Sequence, residues 1–393
     1  MTGSLHGLKV IDCTHVLAGA WCSLILADLG ADVVKIEPLL GEATRGRPDS
    51  AFRPFDFVNR NKRAIAVDIT SEAGAEVVRA LARCADIFVE NYRPGVMDKA
   101  GLGYEALREV NAGLIYASVS GFGHTGPYRD RGGLDLIAQA MSGIMSFTGE
   151  PGAVRPVSAG VPLADVTAGV YAAVGVLAAL NHRHVTGEGQ HVEATLLESA
   201  MAHTVWEAGT ALTTGRVAQP NGSRHRLAAP YEALKTRDGF LAIGVNNQKL
   251  WSRLCAALDS PGLEADPLFA EPLLRLKNRD ALQARLEAIL AEDGTQAWVA
   301  KITSKGVPCG PVNDIVEALA DPHLVARGYL AEVGDLRFPR TPLGLSATPV
   351  RVLRGAPRVG EHTREVLAEA GLTAAAIDRL MRNGTILAAE ERA

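Results

Sequence analysis

LKVIDCTHVLAGAWCSLILADLGADVVKIEP, residues 8–38, is the stretch that decides the fold. Residues 8–13 form a short apolar run of strand length. Residues 18–29 show helical spacing and stop at Gly30, and residues 32–36 are a second apolar run closed by Glu37 and Pro38. A strand, a short helix and another strand read as a β-α-β unit, which argues for a parallel sheet. Outward along the chain the pattern repeats. Strands are expected at 63–68, 86–90 and 114–120, and helices at 71–83, capped by Ser71, and at 104–111. A glycine-rich loop at 121–133 is followed by a helical segment at 133–146, a proline-containing loop at 149–162 and a long helix of small apolar residues at 166–184. The turn Gly187-Glu188-Gly189-Gln190 leads into a strand at 191–194 and a helix at 196–212.

Composition shifts at 215–230 to Gly, Asn, Arg and Pro, the signature of a linker. Beyond it are a strand at 240–245, a helix at 248–258 and amphipathic helices at 279–292 and 295–305. Pro339, Pro342 and Pro349 indicate extended connections, and helices at 362–370 and 374–382 close the chain. The expectation is an α/β protein with a Rossmann-like large domain from 1–214, a linker at 215–230 and a small α+β domain at 231–325. A return segment with C-terminal helices at 326–393 would complete the large domain. A chain of 393 residues, 47% of them hydrophobic, has room for more than one core.

The net charge of −4, with no basic face and no interleaved aromatic run, argues against a nucleic-acid partner. Five scattered cysteines without a CxxC pair argue against a disulfide framework or a zinc site. They suit a reducing compartment, so a cytoplasmic location is expected. Residues 1–9 lack the basic and apolar regions of a signal peptide, and the apolar run at 166–180 is short for a bilayer span, so no membrane association is expected.

Several chemistries fail on spacing. The turn after the first strand, His15-Val16-Leu17-Ala18-Gly19-Ala20, lacks the spaced glycines that admit a dinucleotide pyrophosphate. Ser118-Val119-Ser120-Gly121 is not a nucleophile elbow. His182 and His184, two apart on a helix, point to different faces and make a poor metal pair. Asp165, after Pro162 and before the long helix, reads first as an N-cap. There the helix dipole favours an ionised carboxylate, and such a group can attack a thioester to give a mixed anhydride. The glycine-rich loops could supply backbone N–H groups to the oxyanion. Local chemistry alone does not select Asp165 from the other acids.

The order of several segments makes the selection. Residues 5–12, the turn His15-Val16-Leu17-Ala18-Gly19, residues 28–38, Asn61-Lys62-Arg63 and Glu90-Asn91-Tyr92-Arg93-Pro94-Gly95 together resemble a family III CoA-transferase. Residues 120–128, 186–190 and Gly360-Glu361-His362-Thr363 extend that resemblance over almost the whole chain. It is the family of formyl-CoA transferase and carnitine CoA-transferase. Leu163-Ala164-Asp165-Val166-Thr167-Ala168-Gly169 matches the family's catalytic motif and makes Asp165 the implied nucleophile. The resemblance implies successive acyl-aspartyl anhydride and aspartyl-CoA thioester intermediates, with CoA as substrate and product and no tightly bound cofactor. Carboxylic acids would be the other substrates, with succinyl-CoA a plausible donor and dicarboxylates plausible acceptors.

His15, Val16 and Ala18 match the loop against the CoA thiol arm. Asn91, Tyr92, Arg93 and Lys99 match the segment along pantetheine and nucleotide. Arg45, Arg47, Arg60, Lys62 and Arg63 form a basic cluster suited to the CoA phosphates, and Asp135 is expected to position the loop or CoA. Leu17, where formyl-CoA transferase has glutamine, and Gly244-Val245-Asn246-Asn247-Gln248, where it has a glycine run, count against formyl-CoA and oxalate. Leu17, Asn246, Asn247 and Gln248, with Arg224, are the candidate acyl and acceptor contacts. The alternative reading, an acyl-CoA racemase acting at the α-carbon, needs a histidine before Asp135, and Leu134 stands there. The family fold is an interlocked, ring-like homodimer.

Overall fold

The computed structural model describes residues 3–46, 50 and 52–389, and these form two compact units. One comprises 1–145, 158–216 and 326–393, the other 146–157 and 217–325.

In the first unit β1 (Lys9–Cys13), β2 (Asp32–Glu37), β3 (Arg63–Val67), β4 (Ile87–Glu90), β5 (Ile115–Ser120) and β6 (His191–Thr195) run parallel. A short C-terminal strand, Ile386–Leu387, adds antiparallel to β3 and completes a seven-stranded sheet. From β1 the sheet grows through β2 and β3 to one side and through β4, β5 and β6 to the other. Val10, Ile11, Val33, Val34, Ile65, Phe88, Ile115 and Ala117 are all buried. Helices cover both faces of such a sheet, so these strands read as continuous apolar runs rather than alternating ones. The order reverses between β1 and β4, and open parallel sheets bind ligands beyond the strand ends at such a point. His15 follows β1 there and Asn91 follows β4.

The first helix, Ala18–Asp28, is buried along nearly its whole length. Its main partner is the long helix Leu163–Thr186. Gly169 permits the approach, because a Cβ at that position would lie 2.6 Å from the Ala18 carbonyl oxygen and 2.9 Å from Trp21 Cβ. Gly169→Ala is therefore expected to force the helices apart at a cost of about 1–3 kcal/mol. Urea denaturation reads this, and an unchanged midpoint would show that the pair separates freely.

Three segments depart from expectation. The long helix begins at Leu163, so Asp165 lies inside its first turn and Pro162 occupies the cap position, without a side-chain cap bond. At 24 residues this helix is long and apolar enough to cross a membrane, which the 166–180 run had not suggested. Its Ala164, Ala168, Ala172, Ala173, Val176 and Ala179 are nevertheless buried, while Val170, Tyr171, Val174 and Leu177 are exposed. The expected 133–146 helix is shorter, Asp135–Met141. The proline-bearing return segment holds an antiparallel hairpin, Leu330–Val333 with Leu336–Pro339, ahead of its extended stretch.

The second unit has a three-stranded antiparallel sheet, β7 (Tyr231–Lys235), β8 (Phe240–Gly244) and β9 (Cys309–Pro311). Helices Gln248–Ala257, Arg279–Leu290 and Thr295–Ser304 close over a core that includes Trp251, Leu254, Leu286 and Ile302. Residues 217–230, read from composition as linker, belong to this unit. Arg279 Nη1 donates to Asn221 Oδ1 (2.9 Å), Asn221 Nδ2 to the Arg224 carbonyl (2.8 Å), and Gly222 N to the Gly149 carbonyl (2.8 Å). These polar residues were thus expected to make a flexible segment but are tied down by their own hydrogen bonds.

Candidate active site

The loops after β1 and β4 are stitched together. Asn91 Oδ1 accepts from His15 N (2.9 Å), and Asn91 Nδ2 donates to the His15 carbonyl (2.8 Å). The His15 ring meets Tyr92 edge-on, with centroids 4.7 Å apart. Burial, with the Lys35 charge behind it, pushes the His15 imidazole below its usual pKa. Val16 holds φ +62°, a left-handed conformation that costs a β-branched residue about 1–3 kcal/mol. Val16 is half exposed, Leu17 stands at the N-cap of the first helix without a capping bond, and Ala18 is buried. The loop is thus held in a strained shape at the reversal of strand order between β1 and β4.

Beneath it lies a buried polar network. Asp12 accepts from Lys62 Nζ (2.8 Å), Ser23 Oγ (2.6 Å) and Thr14 N (2.9 Å), and Lys35 Nζ donates to the Thr14 carbonyl (2.6 Å) and pairs with Glu42 (2.9 Å). This corrects the expected phosphate cluster. Lys62 is spent on Asp12, Arg60 on Asp28 (2.7 Å), and Arg63 on Asp32 (2.6 Å), Glu365 (2.7 Å) and Glu369 (2.9 Å). Arg45 forks onto Glu37 (2.7 and 2.5 Å) and stacks on Phe55. Arg47 lies outside the described residues. Basic residues adjacent in sequence are drawn to separate buried acids, where desolvation demands a partner.

Two cavities open along the strand ends. One, of about 610 Å³, is largely apolar, with Ile36, Pro38, Leu40, Ile69 and Met97 in its walls and Lys99 at its edge. The other, of about 550 Å³, is lined by His15, Asn91, Phe122, Gly133, Leu134 and Ile137, and by Arg93, Arg129 and Arg131. Among the described residues no carboxylate lines it. Arg131 stacks over the Tyr128 ring at 3.9 Å, which holds its guanidinium in place. Tyr92 and Val96 belong to both cavities, so a long ligand could lie across them.

Asp165 is joined through its backbone to Asp135, whose neighbours Leu134 and Ile137 line the second cavity. Asp135 Oδ1 accepts from Ala164 N (2.8 Å) and Asp165 N (3.2 Å), the first-turn N–H groups of the long helix. Its other oxygen accepts from Gln139 Nε2 (2.6 Å). Of the two roles expected for Asp135, positioning the loop or CoA, these bonds are of the first kind. Burial, and secondarily the Asp135 charge, push Asp165 up to about 6. The helix start was expected to favour the ionised form, and burial works against it. Asp165 is mostly ionised at neutral pH, and a carboxylate held up in this way is more basic than a solvated one. Leu134 lines the cavity as a hydrocarbon and offers no base there.

The second-unit candidates have structural duties. Asn247 caps the Gln248–Ala257 helix, accepting from Leu250 N (2.9 Å), and donates to Asn246 Oδ1 (2.9 Å). Gln248 Oε1 accepts from Arg275 Nη1 (3.0 Å). Arg224 pairs with Glu232 (3.2 Å) and Asp280 (2.7 Å), so its charge is already used. Gln139 was missed. Its spacing of one helical turn from Asp135 was the available signal.

A loop held strained at the reversal of strand order, an arginine-lined cavity and a raised carboxylate at a helix start are the candidate features of the first unit. The family model of CoA-transferase family III matches residues 5–363. A succinate–glutarate CoA-transferase of Agrobacterium fabrum is 38% identical over 93% of this chain and 95% of its own. An acetyl-CoA:oxalate CoA-transferase of Acetobacter aceti is 37% identical over 92% and 94%. The crystal structure of a CAIB/BAIF family protein from Brucella suis superposes with a TM-score of 0.87 at 37% identity, covering 94% of this chain and all (100%) of that one. The chain belongs to CoA-transferase family III, and its activity is transfer of CoA between acyl-CoA and a carboxylate.

Proposed function

We propose that this enzyme carries CoA through Asp165. The carboxylate attacks the thioester carbonyl of the donor, the C–S bond breaks, and a mixed anhydride and CoA thiolate result. The thiolate attacks the Asp165 carbonyl and releases the donor acid, leaving an aspartyl-CoA thioester. The acceptor carboxylate attacks that thioester, expelling the thiolate again. The thiolate then takes the new acyl group and frees Asp165. Every step exchanges one carboxylate for one thiolate, so no metal or redox group enters, and CoA is substrate and product rather than resident cofactor. The observation that carries the reading is Asp165 itself, a desolvated carboxylate pushed up to about 6 at the start of a helix.

Three arginines, with no acid among the described residues that line the second cavity, suit dicarboxylates, whose second carboxylate needs a counterion. Succinyl-CoA as donor and glutarate as acceptor follow the relative named for succinate and glutarate. A relative named for oxalate keeps that diacid in the substrate panel despite Leu17. The apolar cavity, with Lys99, would take the nucleotide end of CoA, and His15, Val16, Ala18, Asn91, Tyr92 and Arg93 its thiol arm. The racemase alternative has no histidine at Leu134 to support it.

A second copy of the chain would cover the exposed Val170, Tyr171, Val174 and Leu177 stripe, in the homodimer that the family resemblance implies, rather than lipid. Cys13, Cys22, Cys84, Cys255 and Cys309 are all free, which supports a cytoplasmic setting.

Incubation with succinyl-CoA, followed by hydroxylamine or borohydride and peptide mass spectrometry, is expected to find the modification on Asp165. An unmodified Asp165 in a protein that still transfers CoA would overturn the covalent route.

A further inference from the structure

We infer that Asp135 and Gln139 act as a clamp that presents the Asp165 nucleophile and sets its charge state. The inference rests on the CoA-transfer reading and adds two positioning residues to it. Asp135 Oδ1 holds the N–H groups of Ala164 and Asp165, at 2.8 and 3.2 Å. Gln139, fully buried and one turn along the same helix, holds the other Asp135 oxygen at 2.6 Å. With its remaining amide atoms Gln139 grips the loop that leads into the nucleophile. Its Oε1 accepts from Ala159 N at 2.9 Å and its Nε2 reaches the Val161 carbonyl at 3.3 Å. Two side chains of one short helix thus fix the approach, the first turn and the backbone of the reacting residue. Gln139 is buried and Asp135 half-buried, and the hydrogen bonds described for both run to the protein itself.

The clamp also places like charge beside like charge. An ionised Asp135 disfavours ionisation of Asp165, as paired carboxylates do. The other elements packed on the long helix carry few charges. Asp28 ends the first helix in its pair with Arg60 (2.7 Å), and His191 and Glu193 lie on β6. Glu198 is bound to Thr195 (2.8 Å), and His203 sits on Thr167 (2.8 Å). Beyond burial, only Asp135 contributes to the Asp165 shift. A carboxylate held up in this way is more basic when it does ionise, and so a better attacker of a thioester than a relaxed one.

The test is the pH dependence of Asp165 adduct formation at saturating succinyl-CoA in a single turnover of the full-length enzyme. Asp135→Asn keeps an oxygen for the two N–H groups and removes the charge. Its acid limb is expected to move to lower pH, so that the rate at pH 5 relative to pH 8 rises several-fold over wild type. Gln139→Met keeps the volume and loosens the clamp. It is expected to lower the rate about tenfold, through misplacement of the reacting atom, with the KM for succinyl-CoA changed less than twofold. An acid limb that stays in place in Asp135→Asn overturns the charge-setting role. A Gln139→Met rate equal to wild type overturns the positioning role, and it decides the matter alone if the Asp135 variant does not fold. Absence of any wild-type adduct would instead sink the covalent reading on which both rest.

Discussion

Asp165→Ala is expected to lose CoA transfer by on the order of 10⁴-fold or more, as removal of a covalent nucleophile does elsewhere. The carboxylate has no substitute within reach, because Asp135 is committed to two backbone N–H groups and Gln139. The same variant should fold at least as well as the wild type. Burial, then Asp135, raises the folded pKa of Asp165 from 3.8 to about 6. The folded state therefore holds the proton over that interval while the unfolded chain has lost it. Stability falls as pH rises through the interval, and above about 6 the ionised side chain is a standing cost of order 1–2 kcal/mol, allowing for its partial exposure. Alanine removes the cost, so the thermal midpoint at pH 7 should rise by a few degrees while activity disappears. At pH 4 the two proteins should melt alike. Residual transfer above one part in a hundred, in a protein with wild-type circular dichroism, would sink the nucleophile assignment. A fall in the midpoint at pH 7 would instead show that Asp165 is a structural cap.

Much of the sheet was legible in the sequence, because buried parallel strands are unbroken apolar runs and the residues between them carry clear stops such as Gly30 and Ser71. Ser71 does accept from Gly74 N, as an N-cap should. β9 was not legible, since its three residues Cys309–Pro311 carry neither length nor alternation. The C-terminal Ile386–Leu387 strand is set by tertiary pairing with β3, which no local pattern announces.

The candidate site was legible unevenly. Asp165 was visible as a helix-start acid, but the family resemblance selected it. Asn91 and His15 were singled out by the same resemblance, and the structure joins their loops by reciprocal hydrogen bonds that no sequence pattern announces. The basic residues misled for one physical cause. Arg60, Lys62 and Arg63 are near neighbours in sequence, yet helix and strand geometry send them to Asp28, Asp12 and Asp32. Gln139 escaped notice because its partners Ala159 and Val161 come from a loop some turns of chain away.

Lys62→Met tests whether the buried Asp12 network is what holds the Thr14–Leu17 loop. Lys62 Nζ donates to Asp12 Oδ2 (2.8 Å), Ser23 Oγ (2.9 Å), Asn59 Oδ1 (2.8 Å) and the Ala20 carbonyl (3.2 Å), all without solvent contact. Burial works to raise the Asp12 carboxyl, and the Lys35 and Lys62 charges overcome it, holding Asp12 below the usual carboxylate range. With Lys62 gone, Asp12 keeps its bonds from Ser23 and Thr14 but has only Lys35, at 4.0 Å, as a cation among the described residues, and Asn59 Oδ1 loses the Lys62 donor. Breaking one side of a buried pair costs about 3–5 kcal/mol, which corresponds to a drop of order 10 °C in the unfolding midpoint. The pH dependence should change with it. A depressed carboxyl gives stability that is present above its unfolded value of 3.8 and is lost as pH falls towards its folded one. Removing Lys62 lets the Asp12 pKa rise, so the variant should begin to lose stability at a higher pH than wild type. Asp12→Asn combined with Lys62→Met should be less damaged than the sum of the two single changes, because neither partner is then left charged and alone. Strict additivity would mean that the two side chains act independently. A Lys62→Met protein within 1 kcal/mol of wild type would mean that Asp12 finds enough in Lys35 and Ser23, and that the Thr14–Leu17 loop owes its strained shape to the Asn91 clamp alone.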